Sequence, residues 1–284
     1  NWIKSTSGST YTINNPAHNS VTLGEFQAST ELDALTAVTA ATEAQPAWAN
    51  TPAPERASIL FRALRLIEEK SEELARSITT EEGKSLADAR GEVKRSMNIV
   101  EYAAGEGRRM FGYTTPSELH DTVAYTMRRP LGIVAVITPW NFPLAIPAWK
   151  IAPALICGNA IVFKPASSTP MTAVKLIEIF EEAGLPDGVL NLVTGAGSSV
   201  GNALVDSPDV DGISFTGSTE IGTNLNIRGA ASLKKVQCEM GGKNAVIVLS
   251  DADLGKALEG IVQGAFGSTG QRCTATSRAI VEEP

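Results

Sequence analysis

The side chain best suited to nucleophilic chemistry in this sequence is the thiol of Cys273. It lies in the run Gly-Gln-Arg-Cys-Thr at positions 270–274, whose residue types are typical of an accessible loop. A cation or a helix N-terminus near such a cysteine increases its thiolate fraction and therefore its reactivity. The alternative for any single cysteine is a buried, inert side chain. We predict that outcome for Cys157 and Cys238.

Asn141 is the second residue with a possible chemical use. It lies at the centre of Pro-Trp-Asn-Phe-Pro at positions 139–143, where two prolines restrict the backbone around one amide side chain. Such an amide can donate a hydrogen bond to an oxyanion that develops during a reaction. The alternative is an asparagine that satisfies backbone groups of its own loop.

Glu239 is the third residue with a possible chemical use. In strand geometry Val236 and Cys238 face one side, and Gln237 and Glu239 face the other. Because Cys238 is predicted to lie in the core, we expect Glu239 to face a cleft.

Two further features could contact an anionic ligand. Lys164 ends an apolar run that is predicted to be a strand, which places it well for phosphate or ribose hydroxyls. The alternative is a lysine that extends to solvent at a sheet edge. Gly217 lies where the run 215–222 passes from a strand into a helix, and helix N-terminal amides bind anions. The full G-x-G-x-x-G fingerprint is absent, so this turn alone is a weak signal.

These residues lie among alternating apolar strands and helices. Apolar runs of strand length occupy 133–137, 160–163, 189–193, 212–215 and 245–249. Helical stretches such as 171–183 lie between them. This alternation predicts an α/β fold with a Rossmann-like parallel sheet covered by helices on both faces. Ligands bind such sheets at the carboxyl ends of the strands.

The rest of the chain is predicted to surround this sheet. Short strands are expected at 10–13 and 20–23, followed by helices at 32–44, 55–78 and 88–110. The residues 123–127 are predicted to form a strand outside the main sheet. The stretch 131–149 has no charged residue, but its prolines argue against a membrane helix and favour a buried strand followed by an irregular loop.

Composition excludes several classes of protein. A length of 284 residues predicts more than one domain. The formal net charge of -7 argues against nucleic-acid or anionic-membrane partners, which require a basic surface. The three cysteines show no C-x-x-C spacing, so neither a disulfide framework nor a metal site is predicted. A reducing cytoplasm fits this pattern, and no signal peptide opens the sequence.

The motifs occur in one characteristic order. They are Pro-Trp-Asn-Phe-Pro at 139–143, Lys-Pro at 164–165, Phe-Thr-Gly-Ser at 215–218, Glu-Met-Gly-Gly-Lys at 239–243 and Gly-Gln-Arg-Cys at 270–273. In this order the motifs resemble the aldehyde dehydrogenase superfamily. The resemblance covers essentially the whole chain, including Glu-Gly-Lys at 82–84.

The resemblance implies a role for each motif residue. Cys273 is implied as the nucleophile, Asn141 with the backbone N–H of Cys273 as the oxyanion hole, and Glu239 as the general base. The implied cofactor is NAD or NADP. Its implied binding residues are Pro139, Trp140, Lys164, Ser167, Phe215, Gly217 and Ser218. Family members that prefer NAD often carry a glutamate at the position of Ser167, so NADP is expected to be at least tolerated here.

The implied reaction oxidises an aldehyde to an acid. Thiolate attack gives a thiohemiacetal that can release hydride, and water then hydrolyses the resulting thioester. The run 271–278 looks most like the branch acting on α-ketoglutaric semialdehyde (2,5-dioxovalerate). Succinate semialdehyde, glutarate semialdehyde and aliphatic aldehydes stay open. Arg272 is either a contact for a substrate carboxylate or a structural arginine.

Two other functions share the same residues. A non-redox thiol esterase or acyl transferase would use Cys273 and Glu239 without nicotinamide. A non-catalytic scaffold would have no physical need to carry Asn141, Lys164, Glu239 and Cys273 together. A papain-like Cys–His pair is not expected, since the two histidines, His18 and His120, lie outside the motifs.

The resemblance also implies a domain plan. Residues 1–111 and 131–240 are expected to form an NAD(P)-binding domain, 112–130 an oligomerisation strand segment, and 241–284 the start of a truncated α/β catalytic domain. Family members continue well beyond this length, so we expect the chain to be an inactive fragment of a cytoplasmic homodimer or homotetramer. The expected partner is a small aldehyde, with no nucleic acid and no membrane.

Overall fold

A computed structural model describes residues 2–283 of the protein. The N-terminal third consists of an antiparallel hairpin followed by four long helices. Its elements are β1 (Thr10–Asn15), β2 (His18–Gln27), α1 (Glu31–Asn50), α2 (Ala53–Glu69), α3 (Ser71–Glu82) and α4 (Leu86–Glu106). A capping box starts α1, in which Asp33 and Thr30 satisfy each other's backbone N–H groups. The apolar faces of α2 and α3 are fully buried at Leu60, Ile67 and Ile78.

A five-stranded parallel sheet follows, in the order β7-β6-β5-β8-β9. Its strands are β5 (Ile133–Ile137), β6 (Ala160–Lys164), β7 (Leu190–Leu192), β8 (Gly212–Thr216) and β9 (Lys235–Glu239). The helices are α5 (Ala145–Ile156), α6 (Pro170–Glu182), α7 (Asn202–Asp206) and α8 (Thr219–Ala231), with a π-helical turn at Gly197–Gly201 before α7. The strand order reverses between β5 and β8.

Both faces of this sheet are buried at β5 and β6, as their apolar runs predict. Along β5, Val134 and Val136 pack into a core shared with α2 to α6. The alternate residues Ile133 and Ala135 pack into a second core, to which α1, α7 and α8 contribute. Side chains of a strand alternate between faces, so a run that is apolar at every position needs helices on both sides. The predicted α/β class with flanking helices is confirmed.

A short antiparallel pair lies outside the main sheet. It consists of β3 (Thr114–Thr115) and β4 (Ala124–Tyr125). The strand predicted at 123–127 is therefore confirmed, although only two of its residues pair. Several large apolar side chains near it are exposed, among them Tyr113, Val123 and Tyr125.

The C-terminal part forms a separate parallel unit. Strands β10 (Asn244–Val248) and β11 (Thr276–Val281) pair in parallel, with α9 (Leu254–Phe266) between them along the chain. The prediction that 245–249 continues the main sheet is wrong, because the sheet ends at β9 and the chain leaves it at 240–243. Within 241–283, Val248 is the one buried residue that the structure describes, so this unit has almost no core of its own.

Other predicted boundaries also differ. The single helix predicted over 55–78 is two helices that meet at Lys70, and the bend lets both apolar faces follow one curved core. The loop predicted through residue 149 ends earlier, because α5 begins at Ala145. Pro147 falls in its first turn, where a missing N–H removes no helical hydrogen bond. No helix in residues 2–283 has the length and apolar character of a membrane span.

Candidate active site

The predicted site residues lie at one edge of the main sheet. Asn141 follows the end of β5, Lys164 ends β6, Gly217 follows β8, and Glu239 ends β9. Because these strands are parallel, their carboxyl ends share an edge. The reversal of strand order falls between β5 and β8, and open α/β sheets bind ligands at such a reversal.

Asn141 contacts the segment that carries Cys273. Its Nδ2 donates a hydrogen bond to the backbone oxygen of Gln271 at 2.8 Å. An amide nitrogen has two hydrogens, so a second donor is left for another acceptor. The Oδ1 atom of Asn141 is buried and has no hydrogen-bond partner among the described residues. The loop predicted to hold one amide donor therefore points that amide toward the loop of Cys273.

Cys273 is exposed, as predicted for a reactive cysteine. Its backbone oxygen accepts a hydrogen bond from Nδ2 of Asn244 at 2.7 Å. A Cβ atom added to Gly242 would lie 3.5 Å from the same oxygen, in ordinary van der Waals contact. Gly242, in the motif that Glu239 begins, thus lies against the backbone of Cys273.

The other two cysteines differ from each other. Cys238 is partly buried against the second core, and Glu239 next to it is exposed, as strand alternation predicts. The prediction that Cys157 lies in the core is wrong, because its side chain is exposed. Cys157 caps the C-terminus of α5, where the chain turns through Gly158 at φ +86°. The helix ends at Ile156, so Cys157 lies just beyond the buried face of α5.

Glu239 joins a hydrogen-bonded chain that begins at a buried lysine. Nζ of Lys150 donates to Oε1 of Gln237 at 3.2 Å. Nε2 of Gln237 donates in turn to Oε1 of Glu239 at 2.8 Å. Burial lowers the pKa of Lys150 to about 8, and the nearby Glu239 carboxylate opposes that shift. No hydrogen bond within residues 2–283 links the Glu239 carboxylate to Cys273.

Lys150 was missed by the sequence analysis. Its Nζ also donates to Oγ of Ser214 and to the backbone oxygen of Phe215, both at 3.1 Å. A signal existed, because Lys150 is the single charged residue in the otherwise apolar α5. A buried charge needs hydrogen-bonding partners. A lysine in an apolar helix that covers a sheet therefore predicts polar groups on the face of the sheet that the helix covers.

The ends of β5 and β6 have polar atoms suited to a ribose. Lys164 is buried, and its Nζ donates to the backbone oxygen of the adjacent Pro165 at 2.8 Å. Burial lowers the pKa of Lys164 to about 8. Oγ of Ser167 donates to the backbone oxygen of Gly195 at 2.8 Å. The hydroxyls of Thr138 and Thr169 are buried without partners in the described chain, so this edge has unused hydrogen-bonding capacity.

The turn after β8 is suited to a pyrophosphate. Gly217 precedes α8, and Oγ of Ser218 caps this helix by accepting from the backbone N–H of Ile221 at 3.3 Å. A Cβ at Gly217 would collide with the ring of Phe215, which itself is 5% exposed. Phe215 therefore shapes the turn from below. The glycine turn and the helix N-terminus together fit a dinucleotide.

Three further motif residues lie on the loop after β5 and on the Cys273 loop. Trp140, 42% exposed, and Pro139 lie on the loop after β5. Nη2 of Arg272 donates to the backbone oxygen of Gln263 at 2.9 Å, near the C-terminus of α9. A cation at a helix C-terminus stabilises the last carbonyl groups. This contact favours the structural alternative for Arg272 over a substrate contact.

Comparison with known proteins decides the family. The model of the aldehyde dehydrogenase family matches residues 2–284. The chain belongs to the aldehyde dehydrogenase family. The resemblance predicted from the five motifs is therefore confirmed.

Individual relatives agree with this assignment. Alpha-ketoglutaric semialdehyde dehydrogenase of Bacillus subtilis (strain 168) is 50% identical over 281 residues, which are 99% of this chain and 58% of that protein. A succinate-semialdehyde dehydrogenase of Escherichia coli (strain K12), named with NADP(+), is 42% identical over 99% of this chain and 58% of its own length. A crystal structure described as an E. coli NADP dependent enzyme superposes with a TM-score of 0.96 at 42% identity, over 99% of this chain and 58% of that one. The chain thus spans a little over half the length of these proteins.

Proposed function

We propose that the protein oxidises a semialdehyde to the carboxylic acid with a nicotinamide cofactor, through a covalent intermediate on Cys273. The observation that carries the proposal is the hydrogen bond from Asn141 to Gln271 at 2.8 Å. It joins the loop after β5 to the loop that carries the exposed cysteine, at the edge where a parallel sheet binds its ligand. The term full-length protein denotes a protein that contains this chain and has the length of its relatives.

Cys273 and Asn141 carry the first half of the proposed reaction. The Cys273 thiolate attacks the carbonyl carbon, and the carbonyl π electrons move to oxygen and form the oxyanion of a thiohemiacetal. The free N–H of the Asn141 amide and the backbone N–H of Cys273 stabilise that oxyanion, and each such donor contributes about 3 kcal/mol. A bound nicotinamide would supply the hydride acceptor for this step. Loss of hydride from the thiohemiacetal carbon leaves a thioester on Cys273.

Glu239 carries the second half. Its carboxylate takes a proton from a water molecule, which attacks the thioester carbon. The carbon–sulfur bond then breaks, so that the acid leaves and the Cys273 thiolate is restored. The exposed position of Glu239 supports this role, because water can reach it. The hydrogen bond from Gln237 holds one carboxylate oxygen and leaves the other free to act as base.

A nicotinamide dinucleotide fits the edge of the sheet. We assign Lys164 and Ser167 to the adenosine ribose, Gly217 and Ser218 to the pyrophosphate, and Pro139 and Trp140 to the adjoining loop. Phe215 supports the turn from below. The buried, partnerless hydroxyls of Thr138 and Thr169 in the described chain support a polar ligand here. The E. coli succinate-semialdehyde dehydrogenase is named with NADP(+), in keeping with Ser167 at a position where a carboxylate would repel a 2′-phosphate.

Ser167→Glu in the full-length protein is expected to lower kcat/KM for NADP relative to NAD by about tenfold or more. The physical reason is that one charged hydrogen bond contributes ~1.5–3 kcal/mol, and the added carboxylate favours ribose hydroxyls over a phosphate. Initial rates with each cofactor measure the ratio. Ser168→Glu, one residue further along the same loop, is the matched control. An unchanged cofactor ratio in Ser167→Glu would contradict the assignment.

α-Ketoglutaric semialdehyde is the proposed substrate, since the Bacillus subtilis relative bears that name and the run 271–278 resembles its branch. Succinate semialdehyde, glutarate semialdehyde and aliphatic aldehydes are the alternatives. A steady-state panel of these aldehydes with NAD and NADP tests the proposal through absorbance of the reduced cofactor. We expect the highest kcat/KM for α-ketoglutaric semialdehyde. Ester or acyl transfer without cofactor reduction would contradict the redox function.

The remaining surfaces support the domain plan and an oligomer. We propose that 1–111 and 131–240 form the cofactor-binding domain and that 241–284 begins the catalytic domain. In this last segment, α9 has three large exposed apolar side chains, Leu254, Leu258 and Phe266. We also propose that 112–130, with its exposed aromatic and aliphatic side chains, joins subunits of a homodimer or homotetramer. Large exposed apolar surfaces are typical of protein interfaces.

A further inference from the structure

A buried lysine lies beneath the loop that carries Asn141. Lys84 is 1% exposed, and its Nζ donates to the backbone oxygen of Asn141 at 2.7 Å. It also donates to Oε2 of Glu92 at 2.7 Å. The same nitrogen lies 4.0 Å from the centre of the Phe142 ring, an attractive arrangement of a cation over an aromatic face.

Glu92 holds the other end of the same loop. Its Oε1 accepts hydrogen bonds from the backbone N–H groups of Leu144 at 2.9 Å and Ala145 at 3.0 Å. Ala145 begins α5, so this carboxylate satisfies two of the unpaired donors at a helix N-terminus. One ion pair therefore binds the backbone at residues 141, 144 and 145.

A contribution to folding stability alone does not explain the Lys84–Glu92 ion pair. Removing two charges from water is costly, and buried ion pairs are often no more stabilising than apolar residues of the same volume. The same fold also shows that a helix can be capped by a carboxylate without a bonded lysine. Glu81 is buried and accepts from the backbone N–H groups of Met171 and Thr172 at the start of α6. Lys84 therefore adds something that capping does not require, namely its bond to Asn141.

The motif at 82–84 delivers Lys84 to this position. Gly83 ends α3 at φ +96°, a left-handed conformation that favours glycine. The turn directs the next residue back under the sheet, toward the loop after β5. The Glu-Gly-Lys motif at 82–84 thus places Lys84 against the Asn141 loop, a contact that the sequence did not predict.

We propose that Lys84 and Glu92 are positioning residues that set the direction of the Asn141 side chain. By fixing the carbonyl of Asn141, Lys84 fixes the peptide plane from which that side chain projects. The amide nitrogen then lies 2.8 Å from the backbone oxygen of Gln271 in the Cys273 loop. The inference rests on the proposed function, because it concerns the oxyanion donor of that reaction.

The test uses the variant Lys84→Met/Glu92→Gln in the full-length protein. It removes the two charges of the hydrogen-bonded pair together and leaves the Glu82 carboxylate, 4.0 Å from Nζ of Lys84 in the parent, in place. The glutamine oxygen can still accept from Leu144 and Ala145. We expect kcat/KM for the aldehyde to fall about 10- to 100-fold, because small displacements of a catalytic group have effects of that size. The Kd of NADP should not change, since neither residue lies in the cofactor site.

A double-mutant cycle separates positioning from general structure. In an Asn141→Ala background, Lys84→Met/Glu92→Gln should produce no further loss in kcat/KM, because the donor that it positions is already absent. A general structural defect would add its full effect in both backgrounds. Glu81→Gln, the matched buried carboxylate at α6, should leave kcat/KM within about twofold of the parent, since it does not reach the Asn141 loop.

Lys84→Arg keeps the positive charge and tests the same idea if the double variant does not fold. Its longer, planar group moves the donor that Asn141 uses. We expect a severalfold loss of kcat/KM that again vanishes in the Asn141→Ala background. Equal losses in both backgrounds, or no loss in either variant, would overturn the inference. A parent protein that oxidises none of the aldehydes would instead overturn the proposed function.

Discussion

Cys273→Ser is expected to lower kcat/KM for aldehyde oxidation by the full-length protein by about four orders of magnitude or more, as removal of a catalytic nucleophile does elsewhere. A serine hydroxyl is a weak nucleophile at neutral pH unless a base activates it. The two histidines are far from this site in sequence, on β2 at His18 and between β3 and β4 at His120. Absorbance of the reduced cofactor measures the loss, and the Kd of NADP should not change.

Cys157→Ser is the matched control, because Cys157 is the other exposed cysteine. It should leave the rate unchanged. Labelling by iodoacetamide gives a second readout, since both exposed thiols should react. Bound aldehyde and cofactor should protect Cys273 and leave Cys157 reactive. A Cys273→Ser protein that still oxidises aldehydes at more than a few per cent of the parent rate would exclude a covalent thiol mechanism.

The main sheet was predictable because burial on both faces leaves strands with no polar position. Residues 133–137 and 160–163 are apolar throughout, which is typical of strands in a parallel sheet covered by helices on both faces. The partner of each strand is less predictable. Residues 245–249 are as apolar as β5, but they pair with β11 in a separate sheet. The apolar pattern predicts that a segment forms a strand and does not report which strand lies beside it.

A boundary between two helices that has no glycine or proline was also not predicted. The bend at Lys70 occurs inside a continuous helical pattern, since both halves keep the same apolar face. Pro147 produced the opposite error, because a proline ends a helix only when it falls beyond the first turn. The apolar pattern of the sequence therefore predicted where the helices lie, but it did not predict the residues at which they begin and end.

At the site, single motif residues were predictable and the contacts between distant residues were not. Asn141, Glu239 and Lys164 lie at the strand ends where the order of motifs placed them. Lys84 lies 57 positions before Asn141 and Glu92 lies 52 positions before Leu144, and no periodicity relates them to that loop. Such pairs are visible only once the chain has folded.

Glu239→Gln is expected to separate the two halves of the proposed reaction. Formation of the thioester uses Cys273 and Asn141, so the first turnover should keep its rate. Hydrolysis uses the carboxylate base, and its loss should lower kcat by about 10²- to 10⁴-fold. Rapid mixing with aldehyde and NADP should therefore show a burst of one reduced cofactor per active site, followed by a slow steady phase.

Asn141→Ala is the contrasting variant. It removes an oxyanion donor that acts when the thiohemiacetal forms, so its burst should be slow or absent. Hydroxylamine, which attacks a thioester without a protein base, should restore turnover to Glu239→Gln but not to Asn141→Ala. If Glu239→Gln slows the burst as strongly as the steady phase, the carboxylate acts before the thioester forms, and its assignment to water activation is wrong. A glutamine keeps the side-chain shape and the contact with Gln237, so any change reports the lost negative charge.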